Sequence, residues 1–139
     1  MGVYKIKHIQ MLMKKVSSNE LEGREILDKY SVCQIAEIYN GIGPDRFPDW
    51  LRELITDTAG IFEPAALIHD VRYQIGGTKK DFTSANEEFQ RNCYKLVKNE
   101  YGWYNPIRYA LLNKARRWAN YCEFFGLDGY NLKESEKDK

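Results

Sequence analysis

"EPAALIHDVRYQIGG" (63–77) runs directly into "TKKDFTSANEEFQRNCYKLVKNEYG" (78–102), and the reading of these two segments decides the fold. In the second, apolar residues at 82, 85, 89, 93, 96 and 97 keep helical spacing until Gly102 stops the run. In the first, Pro64 suits the opening turn of a helix, and "AALIHDVRYQI" forms its body. Gly76-Gly77 is its stop. Two packed helices, about 64–75 and 83–99, are therefore expected at the centre. A C-terminal helix, about 106–125, opens at Pro106 and carries apolar residues at 107, 110, 111, 115, 118, 122 and 125. The fold class is mainly α: a small single domain with a glycine-rich loop and little strand.

The rest of the chain is read outward from this pair. Residues 1–16 fit a strand or a short helix equally. "SSNELEGREILDKY" (17–30) places Ser and Asn before Glu20, as the cap of a short helix. "SVCQIAEIY" (31–39) has one apolar face and leads into "YNGIGPDRFPDW" (39–50), where two glycines and two prolines break regular structure. A further short helix is expected over 49–60, ending at Gly60. Residues 1–132 form the domain, and 133–139 are a polar, disordered tail. With 139 residues there is material for one core.

Composition narrows the function classes. Lysine and arginine total 21 against 20 acidic residues, so net charge offers nothing to nucleic acid. No run approaches the roughly 20 apolar residues of a spanning helix, and the start lacks a signal-peptide core. The chain is thus expected to be cytoplasmic or virion-associated. Cys33, Cys93 and Cys122 are odd in number and widely spaced, which signals neither disulfides nor zinc. With His8 and His69 the only histidines, any metal is expected to be hard and oxygen-bound. The polar face of the C-terminal helix carries Lys114, Arg116 and Arg117, and the Trp103-Tyr104 loop tip suits a lipid interface.

His69 sits among apolar neighbours, with Tyr73 one turn on and sharing its face. Alone, such a histidine reads as a core residue. Asp70 beside it weakens that reading, because a carboxylate on an apolar stretch needs a partner or a metal. The glycine loop is the second half of the pattern. Gly41 and Gly43 allow a tight turn whose backbone carbonyls face inward. Carbonyls with one carboxylate are calcium ligands, of which the ion takes about six to eight.

Together these residues resemble the phospholipases A2, in particular the compact, disulfide-free viral type. That family carries Tyr-x-Gly-x-Gly as its calcium loop, which Tyr39, Gly41 and Gly43 match, with Pro44 extending the likeness. It carries a His-Asp pair with a tyrosine four residues after the histidine, matched by His69, Asp70 and Tyr73. It then carries an Ala-Asp pair shortly before a phenylalanine, where "SANEEF" (84–89) falls. The resemblance spans roughly 38–93.

What the resemblance implies is calcium-dependent hydrolysis of the sn-2 ester of glycerophospholipids at a membrane surface. Ca2+ is held by the main-chain oxygens of Tyr39, Gly41 and Gly43 and by the Asp70 carboxylate. His69 activates the attacking water, an NH such as that of Ile42 faces the oxyanion, and Tyr73 braces the site. Asn86 stands where the family has the aspartate that orients the histidine; Asp81, five residues earlier, would have to substitute from well over a helical turn away. The chain equally resembles small phage and prophage proteins with a His-Asp-x-x-Tyr helix followed by Ala-Asp/Asn-x-x-Phe. That likeness implies a non-catalytic structural or interaction protein with virion or self-assembly partners.

Overall fold

The computed structural model describes residues 3–39 and 59–133. Among these, five α-helices form: α1 (Val3–Ser18), α2 (Val32–Ile38), α3 (Ala59–Ile75), α4 (Lys79–Glu100) and α5 (Pro106–Phe125). Short 3-10 turns span Arg24–Lys29 and Leu127–Gly129. The mainly helical, single-domain expectation holds, and the expected central pair is α3 and α4. The centre of the molecule is α4, which packs on α3 along one side and α5 along another, while α1 covers α2 and α3.

Helix boundaries follow local chemistry. The side chain of Thr78 accepts from the Asp81 amide, and the Asp81 carboxylate answers to the Thr78 amide. This capping box starts α4 at Lys79, four residues before the expected position. Ser31 and Gln34 form a second capping box that fixes the start of α2. Asn105 caps α5, with Pro106 in its first turn as expected.

Several expectations are corrected. The ambiguous first segment is helical, and Ile9, Leu12 and Val16 lie buried at a three-and-four spacing along it. Ser17 and Ser18 therefore end α1 rather than cap a new helix, and Glu20 takes a left-handed turn at φ 53°. Gly60 is not a stop, and Pro64 is not in a first turn: both lie within α3, which begins at Ala59. Pro64 forgoes only the helical bond to the Gly60 carbonyl, a loss close to the helix end. In α5, Ile107, Ala110 and Phe125 are exposed rather than core. Leu111, Ala115, Trp118 and Cys122 of the expected face are buried, and Ala119 joins them. The expected helix over 49–60 lies, but for its last two residues, outside the described residues, as does most of the glycine loop.

Aromatic packing joins the three long helices. The Trp118 ring of α5 meets Phe89 of α4 edge-on at 4.8 Å and Phe62 of α3 at 5.9 Å. Such contacts add about 1 kcal/mol each to the burial of the rings themselves. All six apolar positions that identified α4 in the sequence are buried. On its outer flank the turn after α1 is laced down by side chains. Asn92 accepts from the Glu22 amide and donates to the Glu22 carbonyl, while Arg91 grips the Glu22 carboxylate.

The α3–α4 turn is held by the far end of the chain. Gly76 and Gly77 adopt φ of 73° and 146°. The Gly77 amide donates to the Asn131 carbonyl, the Asn131 amide to the Tyr73 carbonyl, and the Lys133 amide to the Gly77 carbonyl. Lys133, placed in the expected tail, is tied down by this bond; 134–139 lie outside the described residues. Any side chain at 76 meets the Asn131 backbone. Gly76→Ala is therefore expected to lower the unfolding free energy by about 2 kcal/mol or more. Gly60→Ala has open space around it and is expected to stabilise by about 0.5 kcal/mol. Urea denaturation of the two variants checks both.

Candidate functional site

His69 and Tyr73 project from α3 toward α4, where Asn86 meets both. The Asn86 side-chain oxygen lies 2.8 Å from His69 Nε2 and 2.7 Å from the Tyr73 hydroxyl, which donates to it. The Asn86 amide group donates to Glu123 Oε1 of α5 at 2.9 Å, and Thr83 donates to Glu123 Oε2 at 2.8 Å. His69 and Asn86 are 8% and 3% exposed, so this junction is dry on the protein side. The His69 ring also packs at 4.3 Å from that of Tyr73 and at 4.7 Å from that of Phe89. The structure therefore brings together the three side chains expected to act catalytically: His69, Asn86 and Tyr73.

The geometry assigns the protons. A carboxylate can only accept, so the end of Asn86 facing Glu123 is its NH2 and the end facing His69 is its carbonyl oxygen. His69 therefore carries its proton on Nε2, leaving the Nδ1 lone pair available. Burial pushes the imidazole down to about 4, against which the Asn86 hydrogen bond works in the opposite direction. Burial likewise raises the Tyr73 phenol far above its ordinary value, with the Cys122 thiol beside it adding to the shift. The Tyr73 hydroxyl thus remains a donor across the neutral range.

Asp70 follows His69 on α3 and is half-buried. Tyr39, the first residue of the glycine loop, is buried, and its hydroxyl donates to Glu63 Oε2 at 2.8 Å. His8 Nε2 of α1 meets the same oxygen at 2.8 Å. Burial, then the Glu63 charge and, more weakly, that of Asp70, hold the Tyr39 phenol well above its usual range. The loop thus departs from a residue clamped to α3, seven positions before Asp70 and within electrostatic reach of it. Gly41, Gly43 and the Ile42 NH lie outside the described residues. The Asp70 carboxylate and the Tyr39 carbonyl are oxygen donors of the kind calcium takes, so the donor chemistry fits. Among the described residues no three His, Cys, Asp or Glu side chains converge on a metal position.

Asp81 is occupied elsewhere: its carboxylate accepts from the Thr78 amide and hydroxyl as the α4 cap, which holds it below the usual carboxylate range. Arg72 is likewise engaged, pairing two-pronged with Glu88 at 3.0 and 2.9 Å. Glu63, His8, Thr83 and Glu123 had no signal in the sequence, since each is engaged by a partner far away in the chain. No disulfide joins the three cysteines, of which Cys93 and Cys122 are buried and Cys33 is exposed.

No protein-family model, curated protein or solved structure matches this chain. No helix among the described residues is long and apolar enough to cross a membrane.

The depressed His69 value has a pH signature. Between about 6.5 and about 4 the unfolded chain binds a proton at this ring that the folded chain refuses. Its contribution to stability is therefore complete above about 6.5 and is lost as pH falls toward 4. His69→Gln is expected to flatten the fall in urea midpoint over that window, by an amount on the order of 3 kcal/mol. Urea melts of wild type and variant at pH 7.0 and 4.5 measure the difference.

Proposed function

We propose that this protein is a phospholipase A2-like hydrolase that cleaves the sn-2 ester of glycerophospholipids at a membrane surface. The observation that carries the reading is the shared Asn86 carbonyl. It holds His69 and Tyr73 across the α3–α4 interface as the family resemblance requires, beside Asp70 and the anchored start of the glycine loop.

In this reading the Nδ1 lone pair of His69 takes a proton from water as the oxygen attacks the ester carbonyl. The acyl–oxygen bond then breaks, and the imidazolium returns its proton to the departing glycerol oxygen. Products are a fatty acid and a lysophospholipid. Asn86 holds the ring in the tautomer that presents Nδ1, and Tyr73 holds Asn86. Asp70 and the carbonyls of Tyr39, Gly41 and Gly43 are the residues that would hold Ca2+. That ion supplies Lewis-acid polarisation of the ester carbonyl when bound. Trp103 and Tyr104 stand out at 74% and 76% exposed between α4 and α5, and such amphipathic rings suit the headgroup region of a bilayer.

One observation favours a second reading. The residue against His69 carries no charge, and the buried ring is a weak base. A non-catalytic phage or prophage structural or interaction protein would keep the same junction for helix packing alone, with virion or self-assembly partners in place of lipid.

Fatty-acid release from mixed anionic and zwitterionic phospholipid vesicles, with calcium or EGTA, separates the two. Calcium-dependent release is expected from the wild type, falling at least about 100-fold in His69→Gln. Asp70→Asn is expected to lose the calcium-stimulated release. A wild type that releases no fatty acid in calcium overturns the hydrolase reading and favours the structural one.

A further inference from the structure

We infer that Asn86 and Glu123 act as one unit, in which the Glu123 carboxylate dictates the orientation of the Asn86 amide and so the tautomer of His69. Glu123 is thus a positioning residue, acting through Asn86 without touching the ring. Its relevance to hydrolysis rests on the phospholipase reading; its effect on the ring does not.

An asparagine side chain is nearly symmetric in shape, and either end fits the same space. Against His69 and Tyr73 alone, both ends satisfy hydrogen bonds. The carbonyl accepts from an Nε2–H and a phenol. The NH2 donates to a bare Nε2 and to the phenol oxygen. Imidazole and hydroxyl each donate or accept, so neither chooses. The third neighbour breaks the tie. The Glu123 oxygen at 2.9 Å is acceptor-only, so reversing the amide sets carbonyl against carboxylate and loses that bond. Glu123 is itself fixed, because its second oxygen accepts from Thr83, one turn before Asn86 on α4. It is the only carboxylate on α5, a helix otherwise bearing Arg108, Lys114, Arg116 and Arg117.

The arrangement moves the site's carboxylate one link outward. The family's aspartate would combine acceptor and charge in one side chain, whereas here the acceptor is buried Asn86 and the charge is exposed Glu123. A direct consequence is that Asn86→Asp, which restores the family residue, does not restore a working pair: it places two carboxylates face to face. Exchanging both residues does restore it, because Asn86→Asp with Glu123→Gln keeps one charge, one amide and every hydrogen bond.

Two measurements test this without lipid turnover, so a failed vesicle assay leaves them intact. The first is a double-mutant cycle on the folding equilibrium. Asn86→Asp is expected to cost at least about tenfold more alone than in the Glu123→Gln background. The second is the ring nitrogen spectrum of 15N-labelled protein, in which His8 is the sole other histidine. Wild type is expected to show His69 protonated on Nε2. Glu123→Lys puts a donor-only group at an exposed position, turning the Asn86 carbonyl outward and moving the ring proton to Nδ1. An additive cycle, or a His69 ring still protonated on Nε2 in folded Glu123→Lys, overturns the inference.

Discussion

The interface between α3 and α4 turns on a single carbonyl oxygen. Asn86 Oδ1 receives the His69 ring and the Tyr73 hydroxyl from two successive turns of α3, in surroundings almost without water. Leaving any member unpaired there costs about 1–3 kcal/mol, so the three side chains fix one another and with them the register of the two helices. The apolar residues around them are less exacting. Phe62, Phe89 and Trp118 are buried against one another, yet rings of similar volume can settle in more than one way. Polar partners cannot.

Much of this was legible in the chain. The α4 pattern was dense enough to name six buried positions, and the histidine–tyrosine spacing placed both on one face. Asn86 was identified through the resemblance alone, from its place after Ala85 and shortly before Phe89. The α1 helix was not legible, since lysines interrupt its apolar positions and only packing on α2 and α3 selects the helical option. Pro64 misled because proline is commonest in a first turn, whereas tertiary packing extends α3 five residues ahead of it. Glu123 was invisible for another reason: it lies 37 residues from Asn86, and only the packing of α5 on α4 brings the two together.

The site separates tasks that a single carboxylate often combines. Orientation of the histidine comes from a neutral amide, charge from an exposed glutamate, and rigidity from a tyrosine whose hydroxyl stays protonated across the neutral range. Keeping the charge at the surface avoids the desolvation cost of a buried carboxylate. It also leaves the imidazole paired at Nε2 with a neutral group, and burial dominates its behaviour. On the other flank, Glu63 performs an analogous service for the loop, gathering Tyr39 of α2's end and His8 of α1 onto one oxygen.

The clasp at 130–133 bears on how the molecule comes into being. Tyr130 stacks edge-on over Tyr73 at 5.1 Å, and Asn131 fills the space over Gly76. Synthesis delivers α1 to α4 first, and these can begin to pack as they emerge. The Tyr73 end of the junction stays uncovered until α5 and residues 130–133 have followed, since Glu123 and the clasp lie there. The nascent protein therefore holds the scaffold of α1 to α4 before it holds a finished site, and the stretch from Glu123 to Lys133 sets the moment at which the site closes.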